Sequence, residues 1–432
     1  MKQILFPYGK KHILHAFEEQ SLAGVLTSAV SEYDPGRSGK EIVRLALANP
    51  VASPMLCELA KGKKRIVIIA SDHTRPVPSR IIIPAMLAEI RRTNPDAQVT
   101  ILIATGCHRA ATYDELVDKF GPEIVAREKI LIHDCDDRSR LRSIGTLPSG
   151  GDCEINTLAL DADLLLAEGF IEPHFFAGYS GGRKSVLPGI ASRETVLANH
   201  CSEFIDDVHA RTGVLEGNPI HRDMLWAAQT AKLAFIVNVV LNEKKEIICA
   251  VAGDAKKAHE EGVRFLSSLC MADAVDANVA ITTNGGYPLD QNMYQAVKGM
   301  TTAEATVRRG GVIIMLAQSG DGVGGDHFYH QLADEPDIHK TMAVFLARDR
   351  RQTVPDQWQT QIFLRVLMHA SVVFVSDMDD ETVRNMHMIP AHSIDEALQT
   401  AKRVLGGAQL RIAAIPDGVS VMIRKRVADH EN

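Results

Sequence analysis

Short apolar runs rich in Val, Ile and Leu recur along the chain between longer amphipathic stretches. Runs that are apolar at consecutive positions, not alternate ones, predict strands covered on both faces, as in a parallel sheet flanked by helices. In the first half the clearest are Arg65 to Ala70, Val99 to Ala104 and Asp163 to Glu168, with a weaker one at Ile130 to His133. Between the first two, Ile83 to Arg92 has helical spacing, with Pro84 expected in the first turn, where its missing N–H costs nothing. A second group comprises Val279 to Thr282, Val312 to Leu316 and Val372 to Val375, separated by helical lengths such as Asn292 to Arg309. The pattern predicts two α/β domains with largely parallel sheets. A chain of 432 residues exceeds what one core usually serves. The boundary is set near residue 272, giving 1–272 and 273–432, without a Pro/Gly/Ser-rich linker; a return of the C-terminal segment onto the first domain stays open.

Charge and cysteine usage narrow the function classes. A net charge of -7 opposes the basic footprint that a phosphate backbone needs, so no nucleic-acid partner is expected. The basic clusters Lys61 to Arg65 and Arg424 to Arg426 border apolar runs and read as solvated strand ends. Seven cysteines, scattered singly and without a C-x-x-C pair, argue against a disulfide framework or zinc knot. Residues Met1 to Lys10 lack the apolar core of a signal peptide, and no run reaches membrane-spanning length. No membrane association and a cytoplasmic location are expected.

In open parallel sheets, ligands bind beyond the carboxyl ends of the strands. All three clear strands of the first half run into chemically capable residues: Ser71-Asp72-His73-Thr74-Arg75-Pro76, Thr105-Gly106-Cys107-His108-Arg109, and Gly169-Phe170-Ile171-Glu172-Pro173-His174. If the strands are parallel neighbours, these loops meet. One histidine alone is usually an ordinary surface or hydrogen-bonded residue, but two flanking a substrate could exchange proton-donor and proton-acceptor roles near neutral pH.

Next comes the Gly-rich loop Gly178-Tyr179-Ser180-Gly181-Gly182-Arg183-Lys184-Ser185. It resembles a phosphate cradle, but Arg183 stands where a P-loop requires glycine. Lys184 is then either a covalent attachment point or a surface lysine near a helix start. His200 ends a helical stretch from Glu194; an imidazole there suits a transition metal, yet no H-E-x-x-H or local ligand pair accompanies it. In the second half, Asp290 or Asn292 can cap a helix on which Gln295 and Lys298, three apart, could clamp a small carboxylate or simply face solvent. Gly320 to Gly325 matches G-x-G-x-x-G, but Pro336 leaves little room for a crossover helix, and the segment is read as a loop facing the active site.

Taken in order, Ser71 to Pro76, Gly106-Cys107-His108-Arg109, Glu172 to Gly178, Gly181 to Ser185 and Tyr294-Gln295-Ala296-Val297-Lys298 resemble the nickel-dependent lactate racemase family, across most of the chain. The resemblance implies an active site in a cleft between the domains and a nickel-pincer nucleotide (a nickel pyridinium-bisthiocarboxylic acid mononucleotide) joined covalently to Lys184 and ligated by His200. It implies that Asp72, His73, Thr74 and Arg75 contact cofactor or substrate, that Arg75, Tyr294, Gln295 and Lys298 bind substrate, and that His108 and His174 are the catalytic bases. The implied reaction interconverts D- and L-forms of a small 2-hydroxyacid, first of all lactate, through a 2-keto acid. Malate or a sugar acid are alternative substrates, and Tyr294 and Trp358 could shape the pocket. Cofactor-making proteins are implied partners. From other classes, an NAD-dependent dehydrogenase using the 320–325 glycines, and a cofactor carrier that would not need His108 and His174, are the alternatives.

Overall fold

The apolar runs form strands, and the edges of two sheets set the architecture. The computed structural model describes residues 1–424; Lys425 and Arg426 of the second basic cluster lie outside the described residues. The chain divides into two compact units, one of 30–200 with 207–269, the other of 1–29 with 201–206 and the residues from Cys270 onward.

In the first unit the six-stranded sheet runs in the order Ile247–Gly253, Leu233–Leu241, Leu164–Phe170, Arg65–Ser71, Gln98–Ala104, Lys129–Ile132. Every neighbouring pair is parallel except the first, which is antiparallel at the edge. Leu164–Phe170 is buried at all its positions, as a central strand covered on both faces must be. On one face Ile66, Ile68, Ile101, Ile103 and Leu166 pack with Ile82, Ile83, Met86 and Ile90. Those last four recur at helical spacing along Ser79–Thr93, so one stripe of that helix seals the sheet. Each such fully buried side chain contributes about 1.5–3 kcal/mol.

That helix begins earlier than its spacing predicts, which puts Pro84 in the helix interior instead of the first turn. Pro84 lies on the exposed face, where water can satisfy the carbonyl one turn back that loses its N–H partner. The strands Leu233–Leu241 and Ile247–Gly253 were not among the sequence expectations.

The second unit carries a wholly parallel sheet in the order Ile389–Ala391, Ser371–Val375, Val307–Leu316, Ala277–Thr283, Ile412–Ile415, Leu22–Val25. Its last strand comes from the N-terminus. The segment 1–29, assigned by the sequence to the first domain, therefore folds with the second unit, and Ile412–Ile415 stays in that sheet too. The N-terminal hairpin of Lys2–Tyr8 and Lys11–Phe17 explains why: Ile4 and Phe6, on one face of the strand, and Phe17 bury themselves against Val279 and Ile281 while Leu5 points outward. The expected helix from Asn292 to Arg309 is shorter, Met293–Glu304, and the next strand starts at Val307. An irregular register there, with Gly310 at φ +77, lets the strand begin before its apolar run.

All seven cysteines are free thiols, and among the described residues no helix is long and apolar enough to cross a membrane.

Candidate active site

Because Leu164–Phe170, Arg65–Ser71 and Gln98–Ala104 are parallel neighbours, their three following loops leave one edge together. Asp72 emerges from the middle strand and is buried. Its Oδ1 accepts the Thr74 amide (3.2 Å) and hydroxyl (2.7 Å), and its Oδ2 lies 2.7 Å from His108 Nδ1. Burial works against the Asp72 charge, but the hydrogen bonds from His108 and Thr74 outweigh it and hold the carboxyl below its usual range. A carboxylate at Nδ1 keeps the proton there and leaves the Nε2 lone pair as the basic site of a neutral His108. The ring is presented by a turn in which the His108 amide donates to Thr105 O (2.9 Å), with Gly106 at φ +53 donating to Gly189 O (2.9 Å). That last bond ties the turn to the segment that follows the Gly-rich loop.

Of the other residues in this loop, His73 Nε2 faces Glu115 at 3.8 Å, and its buried Nδ1 has no hydrogen-bond partner. Glu115 is also clasped by both Arg109 terminal nitrogens (2.9 and 2.6 Å), whose hydrogen bonds, with one from the Thr112 amide, bring its pKa to about 2. The Arg75 carbonyl accepts Lys119 Nζ at 3.1 Å. Sequence reasoning missed Glu168, a carboxyl buried inside the apolar strand. Ser71 and Ser79 hydroxyls hold its Oε1 (3.2 and 2.8 Å), its Oε2 is unpartnered, and burial pushes its pKa up.

His174 belongs to a short antiparallel ladder, Pro173–His174 against Gly178–Tyr179. Its Nδ1 accepts the Ala177 amide at 3.3 Å, which puts the proton of a neutral ring on Nε2. The two histidines are thus held in opposite tautomers. Phe176 is the hub of this second group: His174 meets its ring at 4.5 Å, His200 at 5.1 Å, and Lys184 Nζ stands 5.7 Å from its centroid.

The double glycine of the Gly-rich loop has a steric cause. A Cβ at Gly181, where φ is +75, would meet Asn238 Oδ1 at 2.7 Å and Phe170 O at 2.8 Å, and one at Gly182 would meet the His259 ring at 2.8 Å. Arg183, which breaks the P-loop pattern, is buried and donates to the carbonyls of Ala177 (2.7 Å) and Tyr179 (2.8 Å), with His259 Nε2 3.2 Å away. Burial lowers its pKa to about 9. Arg183→Met would strand those carbonyls, and a loss of about 3–5 kcal/mol is expected, read as a lower urea midpoint.

His200 follows the helix Arg193–Asn199, and its Nδ1 lies 3.0 Å from Val196 O. Burial, then the Lys184 charge, bring its pKa down to about 3, so the ring is neutral, with its proton on Nδ1 and its lone pair on Nε2. That is the form a metal ligand requires. The unpartnered His73 Nδ1, and the Arg183 guanidinium with its buried Nε–H unpaired and only carbonyls and His259 among its partners, further fit a polar, anionic group.

Tyr294, Gln295 and Lys298 lie in the other unit, half-buried on the helix Met293–Glu304. Asn292 caps that helix at the Gln295 amide (3.0 Å). Asp290 instead accepts the Gly9 amide (2.6 Å). The Tyr294 hydroxyl donates to Asp356 (3.2 Å) and accepts from Trp358, which places these two aromatics together. The 320–325 glycines leave a strand, but the helix that follows, Asp326–Ala333, is short, and Asp321 and Asp326 both line the adjoining cavity of about 510 Å³. Two carboxylates there repel a pyrophosphate. The carbonyls of Gly322 and Val323 accept the Met293 and Tyr294 amides (3.0 and 2.9 Å), so this loop supports the start of the Gln295 helix.

Comparison with known proteins also divides the chain near residue 272, but counts residues 8–29 with the N-terminal domain. Residues 8–213 match the lactate racemase N-terminal domain, and 272–423 the lactate racemase C-terminal domain. The lactate racemase of Thermoanaerobacterium thermosaccharolyticum is 51% identical over 427 residues, covering 99% of this chain and 100% of the relative. That of Lactiplantibacillus plantarum is 52% identical over 425 residues, covering 98% and 100%. The lactate racemase apoprotein structure from the former organism superposes with a TM-score of 0.95, at 51% identity, over 98% of this chain and 100% of that one. A Thermotoga maritima protein at 16% identity and a TM-score of 0.63, over 92% of this chain and 99% of that one, shares the fold.

Proposed function

Because the chain belongs to the lactate racemase family and is an isomerase, we propose that it interconverts D- and L-lactate, with His108 and His174 as proton-transfer groups and a nickel-pincer nucleotide held by Lys184 and His200. The observations that carry this reading are the grouping of His174, Lys184 and His200 around the Phe176 ring and the bracing of His108 by Asp72. His200 supplies a neutral imidazole for the metal, and Lys184 an amine for covalent linkage. The chemistry required of the bound group is reversible acceptance of the C2 hydride. The chain's own residues do the rest. His108 Nε2, braced by the Asp72 carboxylate, removes the hydroxyl proton of one enantiomer as C2 becomes a planar carbonyl. His174, carrying its proton on Nε2, returns a proton when the opposite enantiomer forms. Reaction from the other enantiomer starts with the two protonation states exchanged. Gln295 and Lys298 offer an amide and an ammonium suited to a carboxylate.

The test is chiral analysis of L-lactate incubated with protein co-produced with cofactor-making proteins, alongside intact mass. Racemisation, together with an added mass absent from Lys184→Ala, is the expected result. The same added mass on Lys184→Ala would refute the linkage, and a loaded protein inert toward lactate would move the substrate to malate or a sugar acid.

A further inference from the structure

We propose that Cys107 and Cys135 form an oxidisable dithiol, and that its closure to a disulfide displaces His108. The sheet brings the pair together. Ile103 and Ile132 are partners on adjacent parallel strands, and the chain leaves both at the same edge. Beyond it the His133 amide donates to Ile103 O (3.1 Å) and the Thr105 hydroxyl to His133 O (2.7 Å), so the two segments run on side by side toward the cysteines. The Cys135 thiol donates a hydrogen bond to the Cys107 sulfur. Cys107 is partly exposed and Cys135 is buried.

The surroundings divide the roles. The Cys135 hydrogen bond, with Arg193 adding its charge against the cost of burial, lowers the Cys107 pKa; the same bond raises that of Cys135. Cys153 and Cys270 are pushed up to about 12, and Cys249 to about 11, each by burial. Cys107 is therefore the reacting thiolate and Cys135 the resolving thiol. A metal fits less well. Asp134, Cys135 and Asp136 bring ligand atoms within 4.8 Å of one another, but both Asp136 oxygens are taken by Arg193 (2.8 and 2.7 Å), whose cation would face the metal.

With a hydroperoxide as oxidant, the Cys107 thiolate attacks a peroxide oxygen; the O–O bond breaks, the leaving oxygen is protonated, and a sulfenic acid remains. Cys135 sulfur then attacks Cys107 sulfur. The S–S bond forms, the S–O bond breaks, and the hydroxide leaves as water with the Cys135 proton. Two thiols are oxidised and one peroxide is reduced. A disulfide demands its own Cα and Cβ spacing, and His108 is the next residue in the chain, on the Thr105–His108 turn. Movement of that turn pulls the imidazole off its 2.7 Å contact with Asp72.

The effect on activity rests on the proposed racemisation; the cross-link does not. Full-length apoprotein treated with stoichiometric hydrogen peroxide is expected to lose about 2 Da and to yield one linked peptide pair containing Cys107 and Cys135, reversed by dithiothreitol. Cys135→Ala and, independently, Cys107→Ala should each abolish that pair. Sulfinic acid at Cys107 with Cys135 still open to alkylation after unfolding, or a link between other cysteines, would overturn the dithiol. In loaded protein that racemises before treatment, oxidation should cut the rate about 10²-fold, with recovery in dithiothreitol. A cross-linked protein at full rate would overturn the switch. Loaded protein inert before treatment would count against the racemisation reading, leaving the mass measurement to decide the dithiol.

Discussion

Replacing His108 or His174 with alanine is expected to lower racemisation of lactate by about 10³-fold in both directions, since a positioned acid or base supplies about 10²–10⁴. Both directions fall together because each passes through the same carbonyl compound, whose formation and consumption need opposite proton transfers. The structure separates the two losses. His108 presents Nε2 as an acceptor because Asp72 occupies Nδ1, whereas the Ala177 amide makes Nε2 of His174 the donor. A protein with one histidine should therefore still form the 2-keto acid from one enantiomer in a single turnover but fail to complete the inversion. The check is quenched-flow detection of keto acid from each pure enantiomer. His174→Ala that still inverts lactate at the parental rate would remove His174 from the mechanism. Intact mass decides whether each variant is loaded, so a binding defect is not mistaken for a lost base.

The parts of this site that the sequence made legible share one physical property: they sit where a run of consecutive apolar residues stops. Arg65–Ser71, Gln98–Ala104 and Leu164–Phe170 are recognisable because both faces are buried, and Asp72, His108 and His174 stand just beyond them. Leu233–Leu241 is as apolar, but the chain enters it from the helix Pro219–Thr230 through Ala227, Ala228 and Ala231, all buried, so the helical spacing runs into the strand without a break. Leu22–Val25 is short and half-buried, and nothing local reveals that its partner is Ile412–Ile415. The same holds for side chains. Glu168 inside its strand looks like a strand end, since the hydroxyls that hold it come from Ser71 and Ser79, far away in sequence. Arg183 looks like a P-loop violation until its carbonyl partners are known. Motif order could locate the chemistry, but long-range partners decide which nitrogen of each histidine carries a proton.

Asp72→Asn tests that last point with the backbone left intact. The variant removes the charge 2.7 Å from His108 Nδ1 and puts in its place a carboxamide whose NH₂ can donate to Nδ1, which would move the imidazole proton to Nε2 and eliminate the base. Racemisation is expected to fall about 10²–10³-fold, chiefly in kcat, because the carboxylate acts through His108. Loss confined to KM would mean that Asp72 binds substrate or cofactor without orienting the base. The same substitution carries a stability signature with a definite sign. The folded-state pKa of Asp72 lies below its unfolded value, so its contribution is present above the unfolded pKa and disappears as pH falls through the folded one. Urea midpoints of the parent should therefore converge on those of Asp72→Asn as the medium is acidified through the carboxylate range. Parallel curves through that range would show that the Asp72 charge is not stabilised in the folded chain, and the proposed bracing of His108 would lose its basis.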